Sequence, residues 1–180
     1  MTRLTVSQAN RGMALENLIT STNDVYNARG WAVVHKRPVP VHLVKTQGTR
    51  ILSAFLEAKS TVDYEGVYRG RSLQFEAKAT RETSRLPLDN FHQHQVDHMR
   101  ACQNQGAIVF AVVEFTKDDE RLFVPAKLIL DAWDLRAEGG RASIPREDLE
   151  LQCYDIKTSR GVACDYLAVV DRLLEKAVAQ

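Results

Sequence analysis

Thr61-Val62-Asp63, followed by Gln74-Phe75-Glu76-Ala77-Lys78, is the stretch that decides how this chain folds. It puts an acid at the start of one strand and an acid-x-lysine unit on the next. Side chains alternate between the faces of a strand, so Glu76 and Lys78 point the same way. Leu73, Phe75, Ala77 and Ala79 fall on the opposite, apolar face. Paired carboxylates are hard oxygen ligands, and an ammonium beside them can orient a water or offset charge on a phosphate. The competing reading is a cross-strand ion pair at the surface, which is common and stabilises little. Two neighbouring acids repel unless a cation bridges them, and this keeps a hydrolytic Mg²⁺ site in view.

Working outward, the flanking segments give a mixed α/β order. Val62 to Tyr68 and Ser72 to Ala79 read as a hairpin turning at Arg69-Gly70. Upstream, Leu15, Leu18, Ile19, Thr22, Val25 and Tyr26 share one stripe of a helix expected over residues 8–29. A strand is expected from Trp31 to His35. Pro38 and Pro40 then favour an extended path into an ambiguous arm over residues 41–56. Downstream, Asp89 or Asn90 can cap a helix from Phe91 to Gln105. The run from Ala107 to Phe115 has the apolar character of a strand buried on both faces, and Arg121 to Val124 reads as its partner. Pro125 opens a further helix that Gly139-Gly140 ends, and a last amphipathic helix starts near Asp165. We expect one domain over residues 1–180 with a central sheet and the arm inserted in it.

The 180 residues carry a formal net charge of +1, so global charge does not announce a polyanion. Its distribution says more. No acid occurs between Asp24 and Glu57, a window that holds Arg29, Lys36, Arg37, Lys45 and Arg50. A basic arm on a neutral protein suits a docked nucleic acid, although a solvated loop lacking acids has the same composition. The three cysteines are scattered and form no CxxC pair, which fits a reduced, cytoplasmic setting. Neither a membrane-spanning run nor the apolar core of a signal peptide is expected, and no nucleotide-binding glycine loop is present.

Other constellations are weaker. His94 and His98 stand one helical turn apart, but no third zinc ligand has convincing spacing. Gln95, on the same turn, has an amide oxygen able to complete a Mg²⁺ sphere. Glu16 is either a solvated helix acid or an outer group near the metal. Asn10-Arg11-Gly12 is either a cap or a phosphate contact, and Trp31 and Trp133 are most simply core. On a projecting arm, Phe55 is either a dimer contact or an aromatic wedge against unstacked bases.

Several motifs, taken in order, resemble the RecU family of Holliday-junction resolvases. They are Asn10-Arg11-Gly12, His35-Lys36-Arg37-Pro38-Val39-Pro40, Thr61-Val62-Asp63-Tyr64-Glu65-Gly66, Phe75-Glu76-Ala77-Lys78 and Asn90-Phe91-His92-Gln93-His94-Gln95. Trp133 and the stretch from Gly140 to Ile144 are similar too. Many members carry a longer basic extension before the motif that here starts at Asn10, and Val62 stands where the superfamily has its proline. The resemblance implies a restriction-endonuclease-like PD-(D/E)xK core, a mixed central sheet flanked by helices, a homodimer and a protruding stalk. It implies metal ligands Thr61, Asp63, Glu76 and Gln95, with Lys78 completing a catalytic set of Asp63, Glu76 and Lys78. The cofactor would be Mg²⁺, with Mn²⁺ as a substitute. Arg11, Lys36, Arg37, Lys45, Arg50, Phe55 and Arg71 would meet DNA. The partners implied are four-way junction DNA and a second copy, with a recombinase or branch-migration helicase left open. A junction-binding module that recruits recombinase without cutting is the alternative, and a site-specific restriction nuclease on the same fold is a third.

Overall fold

A strand apolar on both faces needs a layer on each side, and Ile108–Phe115 occupies the middle of a six-stranded sheet with helices above and below. The computed structural model describes residues 8–56 and 61–178. In chain order these form α1 (Gln8–Ala28), β1 (Val33–Lys36), β2 (Val41–Gln47), β3 (Arg50–Leu56), β4 (Tyr64–Tyr68) and β5 (Arg71–Thr80). Then follow β6 (Arg85–Pro87), a 3-10 turn over Leu88–Asn90, α2 (Gln93–Asn104), β7 (Ile108–Phe115), β8 (Glu120–Pro125) and α3 (Ala126–Ala137). The chain finishes with β9 (Ser143–Pro145), α4 (Arg146–Gln152), β10 (Tyr154–Asp155) and α5 (Tyr166–Val178).

The sheet order is β1-β4-β5-β7-β8-β10. Strands β5 and β7 pair in parallel through the α2 crossover, and the other pairs are antiparallel. This is the expected mixed α/β class. On one face, Leu15, Ile19 and Tyr26 of α1 and Tyr166, Leu167 and Val170 of α5 bury Leu73, Phe75 and Phe110. Tyr64, Phe75, Phe110 and Phe123 stack across four adjacent strands, with centroids 4.9, 4.7 and 4.2 Å apart. On the other face, Val96 and Met99 of α2 and Leu128 and Ile129 of α3 cover Ala111, Val113 and Val124. The alternation of β5 therefore sends Phe75 into the first core and turns Glu76 and Lys78 toward α2.

The β4–β5 hairpin turns where expected, with Arg69 and Gly70 both at positive φ, as a tight two-residue turn demands. At Gly66 a Cβ would meet the Val33 carbonyl oxygen at 2.3 Å, so β1 packs against β4 only because that position is glycine. The arm is less ambiguous than its sequence. Strands β2 and β3 form an antiparallel hairpin in a sheet of their own, with a register shift between Leu43 and Thr46. Every residue from Pro38 to Phe55 is exposed, including Leu43, Val44, Ile51, Leu52 and Phe55.

Two expectations need correction. Asp63 lies just before β4, where its carbonyl accepts the Arg37 N–H at 2.8 Å, so it is held by a loop contact rather than a ladder. Helix α2 starts at Gln93 with His92 as its N-cap, while Asp89 and Asn90 sit in the 3-10 turn. A capping box joining His92 and Gln95 sets this start in place of an acidic cap. The short strand β6 pairs with β9; β6, β9, β10 and α4 are too short to show periodicity in sequence.

Candidate active site

The site forms where the C-terminal half of β5 meets the N-terminal turn of α2 and the loop entering β4. Glu76 is fully buried, a costly place for a carboxylate. Its Oε2 accepts from Lys78 Nζ at 2.7 Å and from Gln95 Nε2 at 2.8 Å. Its Oε1 has no hydrogen-bond partner. Burial, opposed by Lys78 and reinforced by Asp63, raises the Glu76 pKa to about 8 from an ordinary value of 4.5. Asp63 approaches β5 from the side, with Oδ2 accepting the backbone N–H of Ala77 at 3.0 Å. The two acids that sequence placed on neighbouring strands therefore do come together, one from a strand and one from the loop beside it.

Gln95 occupies the third position of α2. Its Oε1 accepts the His92 N–H at 3.0 Å and stands 3.4 Å from Lys78 Nζ, so the helix start fixes the amide against the carboxylate. Lys78 also lies over the Phe91 ring, with Nζ 5.6 Å from the centroid. Thr61 lies two residues before Asp63 in the same loop, its hydroxyl accepting from the Arg37 guanidinium, which also pairs with Glu65.

These groups fit a hard divalent cation. They supply two carboxylates and two neutral oxygens, and the buried Glu76 Oε1 is left with nothing to bind. Among the described residues no three His, Cys, Asp or Glu side chains gather in a metal-holding group, so carboxylates alone would not complete a sphere. His98 engages Gln74 Oε1 at 3.2 Å and Cys102 Sγ at 3.4 Å, while His94 stacks against His92 at 5.5 Å.

The candidate DNA contacts do not form one cluster. Lys45 and Arg50 are exposed on the hairpin. Phe55 is exposed there too, and its ring stacks on His42 with centroids 4.9 Å apart. Lys36 pairs with Glu16 at 2.7 Å, and Arg37 is turned into the site. Arg71 donates to the Gly106 carbonyl at 2.9 Å, seven residues before Lys78 on β5 and so roughly 23 Å along the strand. Arg11 lies on α1, with its side chain outside the described residues, as is the segment from Met1 to Ser7. Sequence reasoning passed over Glu65. Its signal was the i, i+2 spacing from Asp63, which returns a second acid to the same edge.

A mixed sheet bearing an acid-x-lysine strand, with a second acid fed in from the loop entering β4, is the arrangement that the resemblance to PD-(D/E)xK nucleases implied. The chain belongs to the RecU (recombination protein U) family, whose model matches residues 10–172. It is 44% identical over 170 residues to the Holliday junction resolvase RecU of Ligilactobacillus salivarius, covering 92% of this chain and 79% of that one. Identity to the resolvase of the same name in Levilactobacillus brevis is 43% over 169 residues, covering 91% and 84%. A solved structure of Hjc, a Holliday junction resolvase of Archaeoglobus fulgidus, aligns with a TM-score of 0.49 at 12% identity, over 80% of this chain and 95% of that chain. Among the described residues no helix is long and apolar enough to cross a membrane.

Proposed function

We propose that this chain is a Mg²⁺-dependent Holliday junction resolvase, an endodeoxyribonuclease that cuts opposed strands of four-way DNA junctions in recombination and repair. The observation that carries the reading is the buried Glu76, with one oxygen unpartnered and the other on Lys78, beside the carboxylate of Asp63. Family membership and curated relatives named as resolvases support the substrate.

Asp63 and Glu76, with oxygens of Thr61 and Gln95, would hold the cation, and Mn²⁺ would substitute for Mg²⁺. Bound there, the cation supplies Lewis acidity toward a phosphate oxygen and a more acidic water. The protein's own contribution is positional and electrostatic. Lys78 keeps an ammonium at the mouth of the site, where it can hold an attacking water or balance charge on the phosphate. Gln95 keeps the Glu76 carboxylate aimed, because its amide is pinned by the α2 cap. The Phe91 ring faces the Lys78 ammonium, with Nζ 5.6 Å from its centroid, and helps to hold it in place.

A homodimer would present two such sites about a two-fold axis, in keeping with the near two-fold symmetry of a junction. The exposed β2–β3 hairpin would meet the DNA through Lys45, Arg50 and Phe55, with Lys36, Arg11 and Arg71 as further backbone contacts. Junction choice would then rest on shape more than base sequence. A cytoplasmic setting and an association with recombinase or helicase are compatible with this role.

The test uses a synthetic four-way junction and matched duplex, each with and without Mg²⁺. Wild-type protein should cut the junction only with metal, and Asp63→Ala or Glu76→Ala should slow cutting by at least about 10²–10³ while remaining folded. A folded Asp63→Ala protein that cuts at the wild-type rate refutes the site. Junction binding without nicking in either Mg²⁺ or Mn²⁺ would leave the non-cutting binding module. Cleavage of linear duplex at one sequence would point to a restriction nuclease.

A further inference from the structure

We propose that Arg37 is a positioning residue. It ties the two roots of the β2–β3 hairpin together and so holds Thr61 and Asp63 where a divalent cation needs them. The charge of Arg37, read in sequence, suggests a phosphate contact. Its surroundings say otherwise. The guanidinium donates to the Thr61 hydroxyl with one arm and to the Glu65 carboxylate with the other. Its backbone N–H donates to the Asp63 carbonyl at 2.8 Å. One residue thus fastens the segment from Thr61 to Glu65 at three points, and both non-carboxylate and carboxylate ligand candidates of the loop lie inside that span. Only 27% of the Arg37 side chain is exposed, whereas Lys45 and Arg50 stand open on the hairpin.

The position in the chain explains why a clamp is needed here. Arg37 directly follows β1 and leads through Pro38-Val39-Pro40 into β2. Thr61 lies between the hairpin and β4, just ahead of that strand. Both roots of the hairpin therefore pass the site. The two prolines fix their own φ and keep the residues before them extended, so the outgoing root is stiff. Asp63 lies outside the β4 ladder and has no strand partner to hold its backbone. The planar guanidinium fork can meet a hydroxyl and a carboxylate at once, which a lysine ammonium on its flexible stem does less well. A load taken up by the hairpin on DNA would reach Asp63 through this clamp.

This inference rests on the metal-dependent reading above, and the experiment separates the two. Mn²⁺ binding to DNA-free protein is measured by electron paramagnetic resonance for wild type, Arg37→Lys and Glu65→Gln, with circular dichroism confirming the fold. Junction affinity without metal is measured across a salt series for the same proteins. Both variants should weaken Mn²⁺ binding by roughly 10–100-fold, the scale of losing an outer-shell partner of a metal ligand. Metal-free junction affinity and its salt slope should stay within about twofold of wild type. Glu65→Gln discriminates further, because it leaves the charge of Arg37 in place. If Arg37 served as a phosphate contact, releasing it from Glu65 would tighten DNA binding and leave Mn²⁺ binding intact, which would overturn the proposal. Arg37→Lys protein that binds Mn²⁺ as wild type does would overturn it as well. Wild-type protein that binds no Mn²⁺ would instead bring down the metal site itself.

Discussion

Replacing Glu76 by glutamine probes the buried carboxylate through folding stability, without any turnover. In metal-free protein the Glu76 pKa stands at about 8, raised from 4.5 chiefly by burial. An acid with a raised folded pKa contributes fully below its unfolded pKa, where both states are protonated. As pH climbs from 4.5 toward 8, the unfolded chain ionises while the folded chain retains its proton, and stability falls. The slope for one proton is about 1.4 kcal/mol per pH unit. Across the roughly 3.5 units between the two values the loss reaches about 5 kcal/mol, which is a large share of the stability of a domain this size. A glutamine amide cannot ionise, so the stability difference, wild type minus Glu76→Gln, should decline by that slope from about pH 5 to 8 and flatten above it. Urea unfolding in chelator at each pH measures it. Adding Mg²⁺ at the upper end of that window should stabilise wild type, by about 2.7 kcal/mol at a hundredfold excess over Kd, and leave the variant nearly unmoved. If the two proteins lose stability in parallel across this window, Glu76 is not a buried acid with a raised pKa, and the site chemistry built on it is wrong.

The remaining predictions concern the hairpin and the sheet. Phe55→Ala should leave the melting temperature within a degree or two of wild type, because Phe55 is exposed. It should weaken junction binding by about 1–3 kcal/mol if the ring stacks on a base, as a fluorescence titration would read. Lys45→Ala and Arg50→Ala should each lower the slope of log affinity against log salt by about 0.9 on duplex arms, and unchanged slopes would exclude phosphate contacts there. Gly66→Ala should destabilise the fold well beyond an ordinary surface change, since its Cβ would overlap the Val33 carbonyl oxygen at 2.3 Å. Thermal unfolding that matches wild type would show that β1 can move away from β4 at little cost.

Much of the sheet could be read from the chain because alternation leaves a local imprint. Leu73, Phe75 and Ala77 against Gln74, Glu76 and Lys78 declared two faces of β5, and the structure keeps both. The run from Ile108 to Phe115 announced a central strand, and Arg69-Gly70 announced a hairpin turn. Short elements such as β9 and β10 left no such imprint, for two or three residues do not make a period. Helix α2 began two residues late because His92 and Gln95 cap it reciprocally, a pairing that propensity favouring Asp89 or Asn90 does not register.

What the sequence determined by itself was the identity and order of the reactive groups, together with the faces on which they lie. Side-chain direction along a strand and charge along a segment are properties of near neighbours, so they survive in one dimension. Tertiary structure decided which charges are spent inside the protein and which remain for a partner. Arg37 and Lys45 read alike, yet one fastens Thr61 and Glu65 and the other stands exposed on the hairpin. The burial that lifts Glu76 needs α2 folded over β5, with Gln95 set by its cap. Desolvation and ion pairing depend on what surrounds a group in space, and those surroundings come from segments dozens of residues away.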